Sequence, residues 1–444
     1  MRVLLALVVL VVAAGGFGYW SMVKQRRGPP PPVCSAAPLA RKTFGKPIQV
    51  TSKASPGRYN IEPHGTLLPS GNVAFVYTAL AGMFTDNVLG VGTIGPDGKV
   101  AERPLASAKK RHFDPWMATD PKGLVHLVWL GHDGGRPDQH MQVGYATSTD
   151  GLAYSAPAAT NDFATDCPND AAGCMDKPMI VSFADANVVF YYSDPGGGFK
   201  AVRVEDGGRR VAGTTKVGGG AYGSVALAPS GRIHVAWVDS DDEEGIDRWG
   251  DVHLHVDYSM SDDRGRSFAK PLRVSSPSEP IPFFFSNPQI AADEPRGLLY
   301  AVYPTGRRDG RWDITLATSR NGGHDWKRIR VNDDAPCANH MTPLAALDPK
   351  TGTLHVVWLE NRTGKGAVAY AACDSGGERC SPNEAVSDAP FASYSFARHQ
   401  SDWLGEYGAL LVDAERRHLH LLWTQPVDED GDAVSRIFYA RADL

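Results

Sequence analysis

From residue 46 onward the apolar positions come in short runs, each bounded by Gly, Pro, Asp or Asn. Runs this brief, rich in Val, Ile and aromatics and edged by turn residues, predict strands rather than helices. They recur as one unit, in which an apolar strand is followed by a turn and a second apolar strand ending in an aromatic. Clear copies are "PWMATDPKGLVHLVW" (Pro115 to Trp129), "YGSVALAPSGRIHVAW" (Tyr222 to Trp237), "PQIAADEPRGLLYAVY" (Pro288 to Tyr303), "TPLAALDPKTGTLHVVW" (Thr342 to Trp358) and "EYGALLVDAERRHLHLLW" (Glu406 to Trp423). Weaker copies close at Tyr77 and Tyr192.

A third strand, and often a fourth, follows most copies, and helical periodicity is almost absent. A sheet that cannot bury both of its faces can do so by stacking radially on copies of itself, which leaves only short edges. The pattern therefore predicts an all-β propeller over residues 46–444. It has seven four-stranded blades, or six if the first or third copy is irregular. The last copy ends on its third strand, "SRIFYARADL", where the sequence stops, while "KPIQVTS" (Lys46 to Ser52) precedes the first copy unpaired. The N-terminal strand is expected to complete the last blade and close the ring.

Three turns between predicted third and fourth strands carry a further motif. "SDDRGRSF" (Ser261 to Phe268) fits SxDxGx[TS][WF], "SRNGGHDW" (Ser319 to Trp326) is a degenerate copy, and "STDGLAY" (Ser148 to Tyr154) is one residue short. The side chains of Asp150, Asp263 and Asn321 can accept backbone N–H bonds inside such a turn. Gly265 and Gly323 can take positive φ, and Phe268 and Trp326 can bury a large apolar area. Motif and position together resemble the Asp boxes of the sialidase (neuraminidase) superfamily and related BNR-repeat proteins. The resemblance implies a structural role for these boxes, on the face opposite the ligand site.

The same resemblance places the site at the mouth, beside the starts of the innermost strands and the loops after the second strands. The candidates there are Glu62 and His64; His112, Asp114 and Trp116; Asp176 and Lys177; Tyr222; Ser286 and Asn287; Arg307 and Arg308; Asn339 and His340; Arg362; and Asp402, Trp403, Glu406 and Tyr407. Acids, histidines and aromatics around one opening suit a sugar. A sialidase is expected to grip its substrate's carboxylate with three arginines, the first in a [FY]RIP motif. Here that stretch reads "NIEP" (Asn60 to Pro63), with Glu62 in the arginine's place. Tyr407 and Glu406, adjacent on a strand, would point to opposite faces. The expectation is a non-catalytic module binding a glycan or protein ligand. The alternative is a sialidase-like exo-glycosidase with a non-standard site, built on two of Glu62, Asp114, Asp176 and Glu406.

Charge narrows the partners. Lys and Arg number 45 against 50 Asp and Glu, a net of −5 with no basic stripe, which argues against nucleic acid. Residues Val3 to Val23 carry no charge and are long enough to span a bilayer. Residues 1–27 read as a signal-anchor or a signal peptide, and residues 28–45 as a Pro-rich linker. Lys24, Arg26 and Arg27 favour a cytoplasmic flank, but the six cysteines favour the outside. Cys167 with Cys174, and Cys373 with Cys380, bracket short turn-rich loops that suit local disulfides, which leaves Cys34 and Cys337 as a third possible pair. An extracytoplasmic monomer, membrane-anchored or secreted, is expected. No cofactor or metal site is expected, with calcium in the acidic runs Asp239 to Asp247 and Asp428 to Asp432 as the alternative.

Overall fold

The computed structural model describes residues 34–82, 86–105, 107, 109–133, 141–159, 175–193, 198–241, 254–282, 287–307, 311–333, 337–392, 405 and 407–444. They form seven antiparallel four-stranded sheets, the blades of a propeller. Six blades are continuous in sequence. The seventh pairs His418–Glu429 with Ala409–Asp413 on one side and Asp432–Asp443 on the other, and takes its outer strand, Ile48–Gln49, from the other end of the chain. Ile48 lies opposite Tyr439 and Gln49 opposite Phe438. Among the described residues no helix is long and apolar enough to cross a membrane; residues 1–33 lie outside them.

The closing aromatics sit deep in the sheets. Tyr77, Trp237, Tyr303 and Trp358 are fully buried, and Trp129 and Trp423 nearly so. Room for them comes from small partners: Gly90 lies directly across from Tyr77, and Gly144 from Trp129. A Cβ on either glycine would fall within 2.2 Å of the ring it faces. The third blade corrects the sequence reading. Tyr191, not Tyr192, lies opposite the irregularity in the innermost strand and is fully buried, while Tyr192 is half-buried. Two adjacent tyrosines are indistinguishable until the register is known.

Four blades carry a second buried pair. The histidine three residues before the closing aromatic meets a tyrosine hydroxyl on the third strand. The pairs are His126–Tyr145 at 2.6 Å, His234–Tyr258 at 2.8 Å, His355–Tyr370 at 2.9 Å and His420–Tyr439 at 2.7 Å. Burial pushes His234, His355 and His420 down to about 4, and Tyr439 up to about 12.

The Asp-box turns join neighbouring blades. Ser261 Oγ donates to Asp263 Oδ1 at 2.8 Å and accepts from Gly265 N at 2.8 Å, and Asp263 Oδ1 accepts from Ser267 N at 2.9 Å. Burial raises Asp263, but hydrogen bonds led by those from Ser267 outweigh it and bring the carboxyl to about 2. Ser319, Asn321 and Gly323 repeat the geometry with an amide, and Ser148, Asp150 and Gly151 repeat it in the second blade. Trp326 donates Nε1 to Gly323 O at 2.8 Å and packs edge-on to Tyr258 of the blade before it. Phe268 likewise meets Phe190, and Tyr154 packs into the first blade's core. The Trp at the end of the turn thus fastens one blade to the preceding one.

In the sixth blade a disulfide stands in this place. Cys373 and Cys380 are bonded and seven residues apart, the same offset as Ser319 to Trp326. Gly377 holds the positive-φ position of Gly323. Cys34 is bonded to Cys337. Cys167 and Cys174 lie outside the described residues. Two disulfides suit an oxidising compartment. The acidic run at Asp428 is the turn of a long hairpin, with Glu429 paired to Arg436 and Asp430 to Lys53.

The histidine pairs make stability pH-dependent. An unfolded histidine titrates near 6.5, and three of these titrate at about 4 when folded. Their contribution is complete above about pH 6.5 and is lost as pH falls towards 4, because the unfolded chain takes up protons first. The melting temperature should drop through that window, and His234→Gln should shallow the drop in a thermal scan against pH.

Candidate functional site

Five of the innermost strands begin with the same local device. Their register slips between Ile61 and His64, Phe113 and Trp116, Asp176 and Met179, Ala221 and Gly223, and Met341 and Leu344. At each slip one residue takes a left-handed conformation: Glu62, Asp114, Lys177, Tyr222 and Thr342, with φ between 50° and 54°. A Pro or Gly follows every one of them, as it follows Asn287 and Tyr407. A bulge re-aims a side chain, and here the new direction is the propeller axis.

The contacts show this, because they link blades that are not neighbours. Lys177 of the third blade donates Nζ to Asp114 Oδ1 at 2.7 Å and lies 3.7 Å from Glu62 Oε1 of the first. Tyr407 of the seventh blade donates its hydroxyl to the same Asp114 oxygen at 3.1 Å. The Lys177 ammonium lies over the Tyr407 and Tyr222 rings, 5.3 and 5.7 Å from their centroids. All five side chains are buried. Five expected residues therefore converge on the axis as one cation between two carboxylates, flanked by aromatic faces. Just beside them His64 stacks on Trp116 with centroids 3.9 Å apart, and Trp116 lies 6.0 Å from Tyr407. His64 accepts Met117 N at Nδ1, and burial lowers its pKa to about 3.

The remaining candidates lie elsewhere. His112 is held between the first two blades, with Nδ1 3.0 Å from Asn87 O; burial lowers its pKa against the opposing effect of Asn87. Asp176 caps the amide of Lys177, and Asn287 O accepts Gln289 Nε2. Between the fifth and sixth blades a second polar cluster forms. Arg362 makes two bonds to Glu360, at 2.6 and 2.8 Å, and buried His340 faces both Glu360 and Asp313. Arg307 lies 3.4 Å from Asp313 and donates to Ala338 O, and Asn339 Oδ1 accepts Trp312 N. Ser286, Arg308, Asp402, Trp403 and Glu406 lie outside the described residues.

Sequence reasoning overlooked Thr342, which holds in the sixth blade the place that His340 had been given. The available signal was the repeated X-Pro or X-Gly dipeptide, read as seven equivalent positions. For a metal, Asp239, His255 and Asp257 bring ligand atoms within 4.8 Å of one another. Arg273 lies against this group, 3.4 Å from Asp257 and 2.8 Å from Asp241.

No family model and no curated protein matches the sequence. Solved structures do. A Dyadobacter fermentans protein of unknown function aligns at 11% identity and TM-score 0.52, over 92% of this chain and 100% of that one. A GH93 α-L-arabinofuranosidase of Fusarium graminearum, in complex with arabinobiose, aligns at 10% identity and TM-score 0.50, over 90% and 98%. A Hadza microbial sialidase, Hz136, aligns at 15% identity and TM-score 0.49, over 87% and 66%. Sialidases and GH93 enzymes are seven-bladed propellers of the sialidase-like superfamily, and at these identities the likeness is one of fold.

Lys177 lies against two buried carboxylates at once. Lys177→Met should therefore cost about 3–5 kcal/mol of stability near neutral pH. Parallel denaturant titrations of both proteins check this.

Proposed function

We propose that this chain is an extracytoplasmic, membrane-tethered propeller that binds a glycan at its mouth without cleaving it. The observation that carries the reading is the shared ammonium. Glycoside hydrolysis usually needs one carboxylic acid and one carboxylate, roughly 5–9.5 Å apart and facing a bond between them. Here Asp114 is taken up by Lys177 and Tyr407, and Glu62 leans on the same Lys177. Among the described residues, two arginines that could grip a sialic acid carboxylate are also engaged, Arg362 by Glu360 and Arg307 by Asp313.

What remains suits binding. Tyr222, Tyr407 and Trp116 offer aromatic faces beside charged and hydroxyl groups, the combination that holds a polyhydroxylated ring. The arabinobiose bound to the Fusarium propeller supports a sugar as the ligand class. The two disulfides and the apolar residues 3–23 support an oxidising location and a tether.

One observation favours the alternative, an exo-glycosidase with a non-standard site. The Tyr407 hydroxyl hydrogen-bonds to Asp114, a phenol beside a carboxylate. The two readings separate in one experiment on residues 28–444. A glycan array should show binding, weakened at least about threefold by Trp116→Ala from the lost ring contact. Fluorogenic sialosides and arabinofuranosides should stay intact. Turnover abolished by Tyr407→Phe would replace the binding module with the enzyme.

A further inference from the structure

The N-terminal part of the chain joins the propeller at the rim of its mouth. Cys34 is bonded to Cys337, just before the sixth blade's innermost strand begins at His340. Ala36 N donates to Arg362 O at 2.9 Å, just after that blade's second strand ends at Glu360. His340 pairs with Glu360, so both contacts lie at the same end of the sheet, the end that carries the Thr342 bulge.

From there the chain runs down the outside of the sixth blade. Ala385 N donates to Ala40 O at 3.0 Å, and Thr43 N to Glu384 Oε2 at 2.9 Å. Phe44 bridges to Ala442, at the Asp-box end of the seventh blade, and the chain turns back to rise as the outer strand Ile48–Gln49. Residues 34–45, which the sequence places in a linker, are thus a strap whose upper end is covalently fixed.

The geometry points to a propeller whose mouth faces the membrane it hangs from, and whose ligand is a glycan headgroup carried by a lipid of that membrane. This rests on the tethered, glycan-binding reading above. The spacer between the basic flank and Cys34 is Gly28, four prolines and Val33. Six residues span at most roughly 20 Å even when fully extended. A tether that short, leaving from the rim, holds the opening close over the bilayer. A headgroup projecting from the surface meets the opening above the buried ring of Glu62, Asp114, Lys177, Tyr222 and Tyr407 end-on, whereas a long soluble polysaccharide has to enter sideways. A tether leaving from the Asp-box face would have turned the mouth away.

The test uses the full chain in phosphatidylcholine vesicles that contain a headgroup-labelled acceptor lipid. A donor dye is placed by an unnatural amino acid at one of two positions in the second blade. Asp133 follows its second strand at the mouth, and Lys122 lies in the turn at the opposite end. Energy transfer should be several-fold stronger from Asp133. In the Cys34→Ser/Cys337→Ser variant, whose strap is free to peel from the rim, the contrast should shrink. Transfer from Lys122 equal to or above that from Asp133 overturns the proposal, as does mass spectrometry showing a mature chain without residues 1–23. The readout needs no glycan, so a blank glycan array alongside a clear Asp133 preference would sink the ligand reading and leave the orientation standing.

Discussion

The structure depends on a short stretch of backbone at the head of five innermost strands, where one residue is forced into the left-handed region ahead of a Pro or Gly. An L-residue pays roughly 1–2 kcal/mol for that conformation, and five of the described blades accept it. The gain is directional. A regular strand would lay these side chains against a neighbouring sheet, whereas the bulge aims them at the axis. There, residues far apart in sequence become partners, as Tyr407 and Asp114 do across 293 positions. The ring sets one ammonium between two carboxylates, so the centre of the molecule is both a packing element and the floor of the mouth.

The opposite face solves a different problem, which is how to keep one sheet from sliding on the next. Trp326, Phe268 and Tyr154 each leave their own turn and enter the core of the preceding blade. The sixth blade holds its turn covalently through Cys373 and Cys380 at the positions that serine and the aromatic occupy elsewhere. A motif search for an Asp box passes over this turn, yet its glycine and its offset are the same. The chemistry of the staple varies while the backbone it secures does not.

Much of this architecture was legible beforehand, for a physical reason. Each blade must bury two faces with few residues, so its strands advertise themselves through a closing aromatic, and the stray "KPIQVTS" needed a partner that only the last blade could supply. Reading stopped where register decides. Tyr191 and Tyr192 look alike in sequence, and only the pairing across from Asp176 and Met179 tells them apart. At the mouth the residue types were legible, but their grouping was not. That Lys177 would settle on Asp114 and Glu62, and that Arg362 and Arg307 would be claimed by Glu360 and Asp313, follows from blade angles and bulges that no local pattern encodes. Thr342 was missed because a threonine carries no chemical signal of its own; its place shows only when the seven strand starts are aligned.

The bond between Cys34 and Cys337 spans 303 residues. It encloses the first five blades in a covalent ring, and the outer strand at Ile48 grips the last blade from inside that ring. A protease that cuts one of the enclosed surface loops therefore produces two chains that cannot part. Each remains tied through sulfur and through shared sheets, and the wound appears only under reducing, denaturing conditions. The molecule can be nicked there and still keep its shape.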